Sequence, residues 1–139
     1  SNALGERYLQ LGELLRSKGR YRASIIEYLK ARRYWKNRKP HLQNKIARAY
    51  FAIKKPKEAI PHLKESLQFY PNYVTTYINL GQAYFAIKRY NKAIQHFEEA
   101  AHINPFHPSI HRYLSFIYRK RGETLRAKQA INALRLIRE

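Results

Sequence analysis

Histidine, glutamate and the basic side chains are the residues here whose types could do chemistry. His107 and His111 lie four residues apart with His102 nearby, a grouping that zinc could use, but His107 falls at an expected helix start. Nothing completes that ligand set. The 139 residues contain no cysteine and no aspartate, all 9 acids are Glu, and no H-E-x-x-H occurs. Ser-His-Asp triads, EF-hand loops, paired-Asp sites, cysteine–zinc sites and thiol nucleophiles are therefore excluded. Glu58 and the Glu98-Glu99 pair read as solvated helix positions rather than acid/base pairs. There is no glycine-rich phosphate loop. The sequence predicts no enzyme, no metal and no cofactor.

What the chain has in excess is positive charge: 28 Lys and Arg give a formal +19. The densest patch is Lys30-Ala31-Arg32-Arg33-Tyr34-Trp35-Lys36-Asn37-Arg38-Lys39, which holds the sole Trp. Further cations cluster at Lys18 and Arg20, at Lys54, Lys55 and Lys57, at Lys88-Arg89 and at Arg119-Lys120-Arg121. Such a surface could meet nucleic-acid phosphates, with Tyr34 and Trp35 stacking on bases, or an anionic membrane surface or cell-wall polymer. The ordinary explanation is that cations at helix C-termini complement the backbone dipole and keep the molecule dissolved. With no reader motif, specific nucleic-acid recognition is not expected. No apolar run approaches the ~20 residues of a membrane span. Hydrophobic residues at 45% and aromatics at 14% argue for a packed core despite the charge.

These residues must be positioned by a repeat. A large apolar residue recurs as Leu11, Ile46, Leu80 and Leu114, followed at once by a small one, Gly12, Ala47, Gly81 and Ser115. Three residues on stand Leu15, Tyr50, Tyr84 and Tyr118. A second small position recurs as Ser24, Ala59, Ala93 and Ala127, and four residues later a bulky one, Tyr28, Leu63, Phe97 and Ile131. The units read as 5–39, 40–73, 74–107 and 108–139. Apolar steps of three and four make each a helix pair. Gly19, Pro56 and Gly122 punctuate turns within units, and Pro40, Pro71 and Pro105 to Pro108 stand between them. Pro61, inside a second helix, should remove one backbone hydrogen bond or bend that helix.

The pattern resembles the tetratricopeptide repeat family, W-x2-L-G-x2-Y…A-x3-F…P at a 34-residue period. Unit three carries it best, through Leu80, Gly81, Tyr84, Ala93, Phe97, Ala100 and Pro105, with Tyr77 in place of Trp. Unit one is weakest, with Ser24 off the pattern and no closing proline. The resemblance implies an all-α, right-handed α-solenoid of four helix-turn-helix repeats, about eight helices, whose first helices line a concave groove. It also implies peptide or protein binding there.

Helical phase then selects the groove stripe: Asn44, Arg48 and Phe51; Ile78, Asn79, Gln82 and Phe85; Arg112, Phe116 and Arg119. Rings would pocket apolar side chains, arginines would fork onto carboxylates and amides would grip an extended backbone. The expected partner is a protein or peptide that is acidic and partly apolar. Repeats that clamp the C-terminal carboxylate of heat-shock chaperones place their clamp at positions held here by Asn44, Arg48, Asn79, Ser109 and Tyr113; only Asn79 matches, so that ligand is not expected. Two other readings compete. One is an anionic-polymer or nucleic-acid binder acting through Lys30, Arg32, Arg33, Trp35, Lys36, Arg38 and Lys39. The other is an accessory repeat domain of a larger bacterial enzyme, since residues 104 to 111 followed by Gly122-Glu123 look similar to C-terminal repeats of some bacterial metallopeptidase-like proteins. Ser1-Asn2-Ala3 reads as the remnant of an expression tag, leaving 4–139 as one domain. With no methionine present, the chain reads as a piece of a longer protein. Ala130, Ile131, Leu134 and Ile137 are expected to lack a helix covering all of them, so that either a capping helix has been cut away or two copies bury these faces together as a homodimer through the C-terminal helix.

Overall fold

The computed structural model describes residues 3–35 and 39–138. Among the described residues eight helices follow in order: α1 (Ala3–Ser17), α2 (Tyr21–Trp35), α3 (Pro40–Ala52), α4 (Pro56–Phe69), α5 (Val74–Ala86), α6 (Tyr90–Ile103), α7 (Pro108–Lys120) and α8 (Thr124–Arg138). Each odd helix packs against the even one after it, and α2, α4 and α6 pack in turn on α3, α5 and α7. This is an all-α solenoid of helix hairpins. Prolines open α3, α4 and α7 at Pro40, Pro56 and Pro108, where the missing N–H costs nothing. Helix α4 continues through Pro61, which is exposed, so the carbonyl it leaves without a donor faces water.

The turn inside each hairpin has one design. Gly19, Lys54, Lys88 and Gly122 take positive φ, between 60° and 75°. The next N–H reaches back five residues: Arg20 to Leu15, Lys55 to Tyr50, Arg89 to Tyr84 and Glu123 to Tyr118, at 2.8–2.9 Å. These are Schellman closures, which satisfy carbonyls that the helix end would otherwise orphan. Gaps between hairpins are tied by side chains. The Tyr77 hydroxyl donates to the Pro71 carbonyl at 2.7 Å, and one repeat later His111 Nε2 reaches the Pro105 carbonyl at 2.6 Å. His111 therefore substitutes for a tyrosine as a clasp.

The core is the stack of small and bulky positions. Ala47, Leu63, Leu80, Phe97, Leu114 and Tyr118 belong to one buried cluster, and Tyr28, Ala31, Trp35, Leu42 and Ile46 to another. The Ser24 departure is satisfied internally: its hydroxyl donates to the Gly12 carbonyl at 2.8 Å, tying α2 to α1. On α8, Ala130 is buried and Ile131, Leu134 and Ile137 are half-buried, whereas Leu125 and Leu136 stand exposed.

Candidate functional site

Three first helices, α3, α5 and α7, form a trough with two adjoining clefts. The larger, about 590 Å³, lies among Arg48, Phe51, Lys54, Gln82, Phe85 and Tyr113. The second, about 530 Å³, shares Gln82, Phe85 and Tyr113 and adds Ser109, Arg112 and Phe116. Among the described residues no carboxylate lines either one.

Rings make the floor. Phe85 meets Phe116 edge-on at 5.5 Å and Tyr113 edge-on at 5.3 Å, while Tyr113 stacks on buried Phe97 at 4.9 Å. Such tilted contacts fix ring positions and leave one flank of each ring to the cleft. Phe51 and Phe85 are half-buried against the core, and Phe116 is 50% exposed. The walls are polar. Arg48 Nη1 donates to Gln82 Oε1 at 3.1 Å across α3 and α5, and its guanidinium lies 5.9 Å from the Phe51 centroid. Arg112 is exposed on α7. Arg48, Phe51, Gln82, Phe85, Arg112 and Phe116 therefore converge on one surface.

Five residues expected there or on the basic surface are placed elsewhere. Asn44 and Asn79 are 5% and 2% exposed, and their amides are engaged in a buried chain. Asn79 Nδ2 donates to Asn44 Oδ1 at 2.8 Å, Asn44 Nδ2 donates to Thr76 Oγ1 at 2.9 Å, and Thr76 Oγ1 lies 3.2 Å from Ser66 Oγ. This ladder joins α3, α4 and α5, so the amides lock helices together, and Gln82 is the amide that faces the trough. Ile78 is buried in the core beside them. Trp35, at 4% exposure, packs in the core with Leu42 and Ile46 and offers no face to a base. Arg119, at the end of α7, is exposed but lines neither cleft. Tyr113 and Lys54 line the trough without being among the residues that helical phase selects; for Tyr113 the sequence holds one signal, its place among the carboxylate-clamp positions.

Of the four described cations of the basic patch near α2, three are paired with glutamates. Arg32 Nη2 sits 2.7 Å from both carboxylate oxygens of Glu65, Lys30 pairs with Glu27 at 3.2 Å, and Lys39 lies 3.5 Å from Glu6 and over the Trp35 ring. Arg33 is exposed. Lys36 and Arg38 fall outside the described residues.

Comparison with known proteins agrees with this fold. A search of curated proteins gives no match. Among solved structures, MamA 41-end from Desulfovibrio magneticus RS-1 superposes with TM-score 0.88 at 21% identity, covering 96% of this chain and 75% of that one. The first repeat domain of Spaghetti (RPAP3), bound to the HSP90 peptide SRMEEVD, gives 0.81 at 21% identity, with 88% and 96% covered. TTC0263, a thermophilic repeat protein of Thermus thermophilus, gives 0.76 at 22% identity, with 96% and 74% covered. Two family models, each described as tetratricopeptide repeat, match residues 42–103 and 5–31. Together they span more than half of the chain, which belongs to the tetratricopeptide repeat family.

Proposed function

We propose that this solenoid is a protein-interaction scaffold whose α3–α5–α7 trough binds an extended polypeptide carrying acidic and apolar side chains. The observation behind this reading is the pair of adjoining clefts, ringed by Arg48, Lys54 and Arg112, floored by Phe51, Phe85 and Phe116, and lined by no carboxylate among the described residues. Solenoids present such concave surfaces as binding faces. Apolar side chains enter beside the rings, carboxylates meet Arg48 and Arg112, and Gln82 offers its amide to a backbone. The Spaghetti neighbour holds a peptide of the same general chemistry, acidic with apolar residues among the acids. Here the one amide that matches the chaperone carboxylate clamp, Asn79, is occupied below the surface, so a different acidic sequence is favoured over SRMEEVD.

The test is fluorescence anisotropy with labelled peptides: one alternating Glu with Leu and Phe, its Lys-substituted twin, and SRMEEVD. The Glu-bearing peptide should bind most tightly, and Arg48→Glu/Arg112→Glu should weaken it by at least roughly tenfold, as loss of charge-assisted contacts would. Equal binding of the Lys twin, or no effect of the double variant, would sink the assignment.

A further inference from the structure

A separate cleft of about 460 Å³ opens between the α5–α6 turn and the α7–α8 turn, lined by Lys88, Arg89, Tyr90, Asn91, Lys92 and Arg121. Four of these six side chains are cations and none is acidic. Elsewhere four glutamates are paired with cations: Glu6, Glu13, Glu27 and Glu65 meet Lys39, Arg16 and Lys45, Lys30, and Arg32 respectively. Among the described residues no carboxylate pairs with Lys88, Arg89 or Lys92. Glu123 is the nearest acid to Arg121, 3.6 Å from its Nε and beyond hydrogen-bond range.

Two members of the cluster are anchored, Arg121 through its side chain and Lys88 through its backbone. Arg121 Nη1 donates to Asn91 Oδ1 at 2.7 Å, which bolts its guanidinium from one hairpin onto the next. Lys88 takes φ 62°, and its N–H is bound to the Phe85 carbonyl at 3.0 Å, so the turn fixes where its side chain departs. Gathering like charges this way is unfavourable until an anion enters. The Tyr90 ring has Phe85 at 5.8 Å and Lys120 Nζ at 5.6 Å, so it does not offer an open platform for a nucleobase.

We propose that this cleft is a phosphate site, taking a phosphate monoester dianion. Exposed cations rooted on two hairpins line one open cleft, which suits a tetrahedral group with close to two charges and three acceptor oxygens. A carboxylate offers one charge in one plane, and a phosphodiester strand spreads single charges along a line. The guanidinium adds planar, forked donors matched to phosphate oxygens. The site adjoins the trough through Tyr90 and Phe85 but does not depend on what the trough binds.

The experiment is a ¹H–¹⁵N NMR titration of the whole chain at matched ionic strength. The probes are inorganic phosphate, a phosphoserine peptide and its serine twin. Saturable shifts should centre on the amides of residues 88 to 92 and on Arg121 Nε. Lys88→Gln/Lys92→Gln should weaken phosphate by about tenfold, the scale of lost charge-assisted hydrogen bonds. The equally charged control Lys18→Gln/Arg20→Gln, on the first hairpin turn, should cost less than about twofold through screened long-range charge alone. Tighter binding of the phosphopeptide than of inorganic phosphate assigns the cleft to a phosphorylated polypeptide, and the reverse assigns it to the free anion. Equal losses in the two double variants, shifts spread evenly over the basic surface, or a serine twin that binds as well as the phosphopeptide would overturn the proposal.

Discussion

Lys54 and Lys88 occupy backbone positions that glycine fills in the outer hairpins, at φ 60° and 62° against 75° and 74° for Gly19 and Gly122. A side chain at such a φ is strained by roughly 1–2 kcal/mol, partly offset by the greater freedom that glycine loses on folding. Lys88→Gly is therefore expected to stabilise the fold by about 1 kcal/mol, read as a higher urea midpoint. Gly122→Ala should destabilise by a similar amount; a methyl there meets nothing within 4 Å, so backbone strain is isolated from packing. A second residue-scale prediction concerns His62 and His96, which occupy equivalent places in consecutive repeats. Each stacks on a tyrosine, Tyr50 at 5.7 Å and Tyr84 at 5.4 Å, and His62 Nδ1 reaches Gln43 Oε1 at 3.2 Å. Burial pushes both imidazoles below their ordinary value. Arg32 adds to this at His62 and Lys92 and Lys64 at His96, against opposing pulls from Glu65 and Glu99. The unfolded chain thus binds more protons than the folded one as pH falls through about 6.5, and stability present above that pH is lost below it. Thermal melts at pH 7 and pH 5 should show a fall in Tm that shrinks in His62→Gln/His96→Gln; an unchanged pH response in that variant would refute the linkage.

At the scale of the elements, the first and third hairpins each set a small residue on the first helix against a bulky one on the second, and the two sizes compensate. Gly12 faces Tyr28 and Gly81 faces Phe97; a methyl on either glycine would come within 2.6–2.7 Å of ring carbons. Where the small position is Ala47 the corresponding bulky one is Leu63, and both are fully buried. Gly81→Ala should therefore cost about 1–3 kcal/mol as overpacking, because Phe97 is stacked on Tyr113 and cannot yield. Adding Phe97→Leu recreates the Ala–Leu pairing of the second repeat and should recover part of that loss in urea melts; a double variant no more stable than Gly81→Ala would show that the ring contact is not what limits the approach. This periodic pairing is also why the helices were legible in the sequence: a 34-residue recurrence of size and polarity specifies hairpins, their order and their turns. The site was legible only in part. Helical phase says which way a side chain leaves its own axis, and of the stripe it selects, Arg48, Phe51, Gln82, Phe85, Arg112 and Phe116 lie together along the trough. It does not say how far the neighbouring first helix overlaps the stripe's edge. Asn44, Ile78 and Asn79 lie at that edge and are covered where α3 meets α5. Trp35 departs from expectation for a related reason, since its run of basic neighbours conceals that its own position faces the core. The strained lysines carry one faint signature, the repeat register that aligns Lys54 and Lys88 with Gly19 and Gly122, and it is masked because lysine at a turn reads first as a solvated cation.

For the molecule as a whole, charge imbalance sets how it meets partners. With 28 cations against 9 acids, pairing one to one leaves most of the basic side chains without an internal counter-charge, and the resulting field reaches beyond any single contact. Exposed charges interact over about 30 Å at 0.01 M salt but only about 3 Å at 1 M. An acidic peptide should therefore be drawn to the trough from a distance at low salt and find it by local collision at high salt. The affinity of the Glu-bearing peptide should fall by more than roughly tenfold across that range, mainly in the association rate, because steering acts before contact. Dissociation should change less, since the Phe51, Phe85 and Phe116 contacts are apolar and the walls at Arg48 and Arg112 act at short range, where screening is weakest. Stopped-flow association and dissociation rates at several salt concentrations separate the two. A salt-independent association rate would mean that the net charge does not steer the ligand, and a collapse confined to dissociation would place the electrostatic contribution in the bound complex instead.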